Sequence, residues 1–196
     1  MDLACDCISI DWGDGNVEHI KSGELSEVFH DYNTTGLFFV NITGGLNFVT
    51  EYAFSWIDYN INNLQEIQSV DITQMKELQA FTLYWRIVPK QINFSQNIKL
   101  KYLTLGFTNL EELDISNNPQ LIWLNVERSH LLSPDKPYDY SKIDKIVTDL
   151  TAHVTANNIR GGLFVWGGYR AGPIPEELLV KLANLEKNYG WDIESL

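Results

Sequence analysis

The chain has 196 residues, of which 44% are hydrophobic and 20% charged, and its 14 Lys and Arg against 26 Asp and Glu leave a net charge of −12. That balance, with no basic run, argues against nucleic acid as a partner, because phosphate recognition needs clustered cations. No stretch reaches the roughly 18 consecutive apolar residues of a membrane span, and Met1-Asp2-Leu3-Ala4-Cys5 lacks the apolar segment of a signal peptide.

Cys5 and Cys7 are the only cysteines. A bridge between residues so close in sequence is strained, and no His precedes His19 to complete a metal site, so both read as small strand residues. Residues 7–45 read as β-structure. Ile8, Ile10 and Trp12 alternate with Ser9 and Asp11, Gly13-Asp14-Gly15-Asn16 suits a tight reversal, and Val28–Tyr32 and Leu37–Thr43 are further strand candidates. Asp11 and Asp14 offer too few oxygens for calcium, which takes six to eight, so turn formation is the better account of them. Ile10-Asp11-Trp12-Gly13-Asp14-Gly15, with His30-Asp31-Tyr32 and Phe39-Val40-Asn41-Ile42-Thr43-Gly44, resembles the second part of a polycystic-kidney-disease-like β-sandwich. A piece this small seldom folds alone, so it is expected to pack against the next part of the chain as an N-terminal cap.

Between residues 46 and 63 two readings compete. Val49, Tyr52, Ala53, Trp56 and Ile57 form a helical stripe, while Tyr59/Ile61 fits the register of the next segment.

From residue 64 to 131 an apolar pair with one intervening residue recurs: Val70/Ile72, Phe81/Leu83, Ile92/Phe94, Leu103/Leu105, Leu113/Ile115 and Leu124/Val126. The first members step by 11, 11, 11, 10 and 11 residues. Any one pair is apolar by chance roughly one time in five at this composition, so six in register indicate a repeat. Alternate side chains of an extended stretch face one way, and stacked layers close a core that one layer cannot. Asn118 falls where a side-chain amide can satisfy backbone groups at a bend.

Leu100 to Leu131, with three L-x-x-L-x-apolar strings and Asn118 at the ninth place of the middle one, resembles bacterial leucine-rich-repeat proteins of the internalin-like and Bacteroides surface type. The resemblance implies an α/β solenoid: a short right-handed leucine-rich-repeat coil of about three turns, with a β-rich N-terminal cap and a helix–strand–helix C-terminal cap. The expected parts are residues 1–45, 46–132 and 133–196, forming one continuous unit.

Beyond Leu132, Ser133-Pro134-Asp135-Lys136-Pro137 reads as a linker. Ser141 with Asp144 resembles a capping box, ahead of a helical face of Ile143, Ile146, Val147, Leu150 and Val154. Leu163–Trp166 is a short buried strand. Pro175 begins a second helix with Leu178, Leu179, Leu182 and Leu185 on one face and Gly190 at its end, and Trp191 and Ile193 suit a last strand.

No common catalytic motif is present, and His19, His30, His130 and His153 lack metal-ligand spacing. Glu111 and Glu112 point to opposite faces of an extended strand and cannot flank one bond. We therefore expect no enzyme, no cofactor and no metal. If Leu103 and Leu105 face inward, the outward columns are Ala80–Tyr102–Trp123, Thr82–Thr104–Asn125 and Tyr84–Gly106–Glu127. In the resembling proteins these strands line the concave sheet. That makes Tyr84, Tyr102, Thr104, Trp123, Asn125 and Glu127 the candidate binding residues, because exposed aromatic patches mark contact surfaces. The expected function is protein–protein interaction, with a glycan-binding surface or a purely structural repeat as the alternatives. The resemblance implies an extracellular or bacterial-surface location, although no signal peptide is visible.

Overall fold

The computed structural model describes residues 8–21, 28, 30, 39–46, 49–54, 67–84, 88–132, 139–167 and 173–195. Cys5, Cys7, the Tyr59/Ile61 pair and the linker at 133–137 lie outside them. Alternation at the N-terminus gives β1 (Ile8–Asp11), which pairs antiparallel with β2 (Val17–Ile20) on one side and β3 (Asn41–Gly44) on the other. The reversal between β1 and β2 is made by the Asp side chains: Asp11 Oδ1 accepts the Gly13 N–H at 2.9 Å, and Asp14 Oδ1 accepts the Asn16 N–H at 3.0 Å. Gly13 has φ +77°, and a Cβ there would lie 2.7 Å from the Phe39 carbonyl oxygen, so no other residue fits. His30 meets Asp14 at 2.8 Å and stacks on Trp12 with ring centroids 4.7 Å apart. β2 falls within the stretch read as β-structure, directly after the expected reversal, although its strand was not singled out.

The larger sheet is parallel and has six strands in chain order: β4 (Glu51–Phe54), β5 (Ala80–Leu83), β6 (Tyr102–Thr104), β7 (Trp123–Asn125), β8 (Gly162–Trp166) and β9 (Trp191–Ser195). Pairing is in register, so Tyr52, Phe81, Leu103, Leu124, Phe164 and Ile193 form one row across it. Phe81, Leu103, Leu124 and Phe164 are fully buried in a core that runs from Ile72 to Trp191. Two helices, α1 (Ser141–Asn157) and α2 (Glu176–Tyr189), pack on each other and add Ile143, Ile146, Val147, Leu150, Val154, Leu178, Leu182 and Leu185 to it.

This arrangement corrects the expected leucine-rich-repeat α/β solenoid of about three turns between two caps. The described residues form a three-stranded antiparallel sheet, a six-stranded parallel sheet and two helices. Only half of the six apolar pairs lead to strands. Ile72, Ile92/Phe94 and Leu113/Ile115 are buried, yet none of them lies on a strand; beside them, among the described residues, is one isolated bridge, Gln91 to Glu112. The middle residue of each of these pairs is Asp or Asn, and its Oδ1 accepts the N–H two residues on: Asp71 from Thr73, Asn93 from Ser95 and Asp114 from Ser116, at 2.9, 2.9 and 3.0 Å. Such Asx bonds start a turn just after the pair, but Asn125 makes the same bond to the Glu127 N–H at the end of β7, so the bond alone does not keep a pair out of the sheet. At the C-terminal end, β8 and β9 do not shield the last layer as a cap would. They continue the sheet, and β8 satisfies the open edge of β7.

Three smaller expectations also change. Tyr52 and Ala53 lie on β4 and not on a helix, and the Tyr52 ring stacks on Phe81 at 5.6 Å. The capping box at Ser141 is absent. Asp139 Oδ1 accepts both the Ser141 N–H and its hydroxyl, while Asp144 holds Lys181 of α2 at 2.7 Å. Leu179 is exposed, so the buried stripe of α2 is narrower than its leucines suggest.

The bends are stitched by asparagines. Asn97 and Asn118 are wholly buried. Asn97 Nδ2 donates to the carbonyls of Ile72 and Met75 at 3.1 and 2.8 Å. Asn118 Nδ2 donates to those of Phe94 and Asn97 at 3.1 and 2.9 Å. Each amide therefore serves the layer before its own.

Candidate binding face

A parallel sheet in register places every second side chain on the face away from the core. Here that face carries the row Glu51, Ala80, Tyr102, Trp123, Leu163, Asp192 and the row Ala53, Thr82, Thr104, Asn125, Val165, Glu194. Tyr102 and Trp123 stand opposite each other on β6 and β7, 45% and 38% exposed. Thr104 and Asn125 are half-buried below them, and Val165 is buried on this face although it lies outside the main core.

Beyond the strands the chain makes the same turn twice. The Thr108 hydroxyl donates to the Leu105 carbonyl at 2.8 Å, and the Ser129 hydroxyl to the Val126 carbonyl at 2.7 Å. Between clamp and strand, Phe107 and Arg128 adopt φ of 55° and 49°, a left-handed conformation that side chains of this size seldom take. Gly106 is held between its neighbours: a Cβ there would lie 2.6 Å from Tyr84 Cε2, 3.0 Å from Asn125 Oδ1 and 3.1 Å from Glu127 Cγ. The missing side chain lets Tyr84 reach across, and its hydroxyl donates to Glu127 Oε1 at 2.5 Å. Asn125 completes the set. Its Nδ2 donates to the same oxygen at 3.4 Å and its Oδ1 accepts the Glu127 N–H at 3.0 Å. The Tyr84 ring meets Phe107 edge-on at 5.2 Å, and the Arg128 guanidinium lies over the Phe107 ring at 5.0 Å.

The six candidate residues therefore fall into two groups. Tyr102 and Trp123 form an exposed aromatic pair, and Tyr84, Asn125 and Glu127 form a hydrogen-bonded knot at the strand ends, with Thr104 on the row between. Sequence reasoning missed Phe107 and Arg128, and the carboxylates of Glu51, Asp192 and Glu194 at the flanks. A signal for the first two existed in the Ser or Thr three residues after each inward Leu105 and Val126.

Burial, and after it the hydrogen bond to the Glu127 carboxylate, pushes the Tyr84 phenol up to about 12. A phenol whose folded value exceeds its unfolded value of about 10 contributes stability that is fully present below that lower value and is lost as pH rises through the folded one. In a phenolate absorbance titration the wild type should show a step near pH 12 that Tyr84→Phe lacks. A titration identical in the two proteins would show that the bond is not made.

Among the described residues no group of acidic, His or Cys side chains is arranged to hold a metal ion, and no helix is long and apolar enough to cross a membrane. No family model matches the chain, and no curated protein matches it. Among solved structures, the functional domain of InlJ from Listeria monocytogenes, which includes a cysteine ladder, is similar to 52% of this chain and to 20% of that one, at 27% identity and a TM-score of 0.35. The internalin-like resemblance thus meets only a weak structural neighbour, too loosely superposed to transfer a fold or a function.

Proposed function

We propose that this chain is a non-catalytic binding module that takes a protein partner on the outer face of the six-stranded sheet. The observation that supports this reading is the Tyr102–Trp123 pair. Two large aromatic side chains stand exposed on adjacent, rigidly paired strands, where burying them inward would have stabilised the fold more. Aromatic side chains on a fixed scaffold present large contact area with little conformational entropy to lose, which is why such residues dominate binding energies.

A displayed library of random peptides about twelve residues long tests the reading, using the wild-type chain beside one with Tyr102→Ala and Trp123→Ala. The wild type should enrich a defined set, and the double variant should bind it at least tenfold more weakly with an unchanged melting temperature. Enrichment of the same peptides by both proteins, enrichment by neither, or binding confined to a glycan array would each discard it.

A further inference from the structure

We propose that the segment bound on this face carries a Lys or Arg side chain that docks on the free carboxylate oxygen of Glu127, an inference that rests on the function proposed above. Glu127 is only 8% exposed. A carboxylate so withdrawn from water is costly unless paired, yet among the described residues it takes part in no ion pair. Its Oε1 is occupied by the Tyr84 hydroxyl and the Asn125 amide. Its Oε2 has no hydrogen bond among the described residues and is not among the sealed polar atoms that lack a partner, so it opens to solvent.

Its neighbour in sequence does not neutralise it. Arg128 follows Glu127 in sequence, but its left-handed φ sends the side chain over Phe107. Among the described residues, the paired rows of the face have one sign of charge. They carry Glu51, Asp192 and Glu194 and no Lys or Arg. Neighbouring strands lie about 4.8 Å apart, so Glu51 is two strands from Tyr102 on one side and Asp192 two strands from Trp123 on the other. An extended segment crossing the aromatic pair would meet a carboxylate at either end and the partly unpaired Glu127 along the strand axis. Calcium in its place would need six to eight oxygens, which Glu127 and Asn125 do not supply. A guanidinium or ammonium needs one carboxylate oxygen and the surrounding acidic field.

The peptides enriched by the wild-type chain carry the test. They should share an excess of Lys or Arg at one position, and exchange of that residue for Gln in a synthetic peptide should weaken binding about tenfold or more. Glu127→Gln keeps the side-chain volume and the oxygen that accepts from Tyr84. It should weaken the basic peptide by a similar factor while leaving the Gln peptide unaffected, so the two changes are not additive. The peptide exchange requires no altered protein, so the result stands even if Glu127→Gln folds poorly. Peptides that depend on Trp123 but show no basic excess, or a basic preference that survives Glu127→Gln in a protein of unchanged melting temperature, would overturn the inference and leave the binding face standing. A library that enriches nothing would remove both.

Discussion

Asn118→Asp should destabilise the protein by roughly 2–6 kcal/mol at neutral pH, because it removes the donor that two buried carbonyls share and each buried orphan costs about 1–3 kcal/mol. Those carbonyls belong to Phe94 and Asn97, and the site is closed to water. The introduced carboxyl, desolvated and facing two acceptors, would titrate in the folded protein above its unfolded value of about 3.9. The deficit relative to wild type should therefore be smallest in acid and grow as pH rises through the folded value. Asn118→Ala, which lacks a titrating group, should show a deficit of similar size that does not change with pH. Urea unfolding of the three proteins at acidic and neutral pH measures this. A midpoint for Asn118→Asp equal to wild type at neutral pH would mean that the amide is not the donor.

Gly162→Ala should be the other severe change, although it adds a single methyl group. A Cβ at Gly162 would lie 2.6 and 2.7 Å from Trp191 Cε2 and Cζ2 and 2.8 Å from the Ile122 carbonyl oxygen. Neither can yield cheaply. Trp191 is buried at the start of β9, and the Ile122 carbonyl accepts the Leu163 N–H at 2.9 Å, the bond that brings β8 onto β7. Overpacking of this kind costs about 1–3 kcal/mol, and because the clash lies where β7, β8 and β9 meet we expect the upper end. Thermal unfolding would show it. A melting temperature equal to wild type would mean that the strands part without penalty, and Trp191→Leu combined with Gly162→Ala should recover part of the loss.

Much of the core was legible because burial leaves an arithmetic trace. The spacing of Phe81/Leu83, Leu103/Leu105 and Leu124/Val126 identified which side chains close the interior, and all six are buried. The same spacing misled over Ile92/Phe94 and Leu113/Ile115. Period-two alternation reports which way a side chain faces, not whether the backbone finds a neighbour to pair with. The middle residue does not separate the two classes: Asn93 and Asp114 fold their own oxygen back on the chain, and so does Asn125, which lies on β7. The destination of β8 and β9 was not legible, because nothing in Leu163–Trp166 or Trp191–Ile193 says which open edge they will complete. The outward positions of Tyr102 and Trp123 followed from alternation alone. The Tyr84–Glu127 bond spans 43 residues and depends on the empty space at Gly106, which no local pattern announces.

The two buried asparagine donors, Asn97 and Asn118, point backwards along the chain, and this has a bearing on synthesis. The carbonyls of Ile72 and Met75 wait for Asn97, 25 and 22 residues later, and those of Phe94 and Asn97 wait for Asn118, 24 and 21 residues later. As the polypeptide leaves the ribosome, the newest bend is always short of its donor until another two dozen or so residues have emerged. A chain stalled partway thus ends in a bend whose acceptors are still held by water, and that segment should be the last to gain protection from hydrogen exchange.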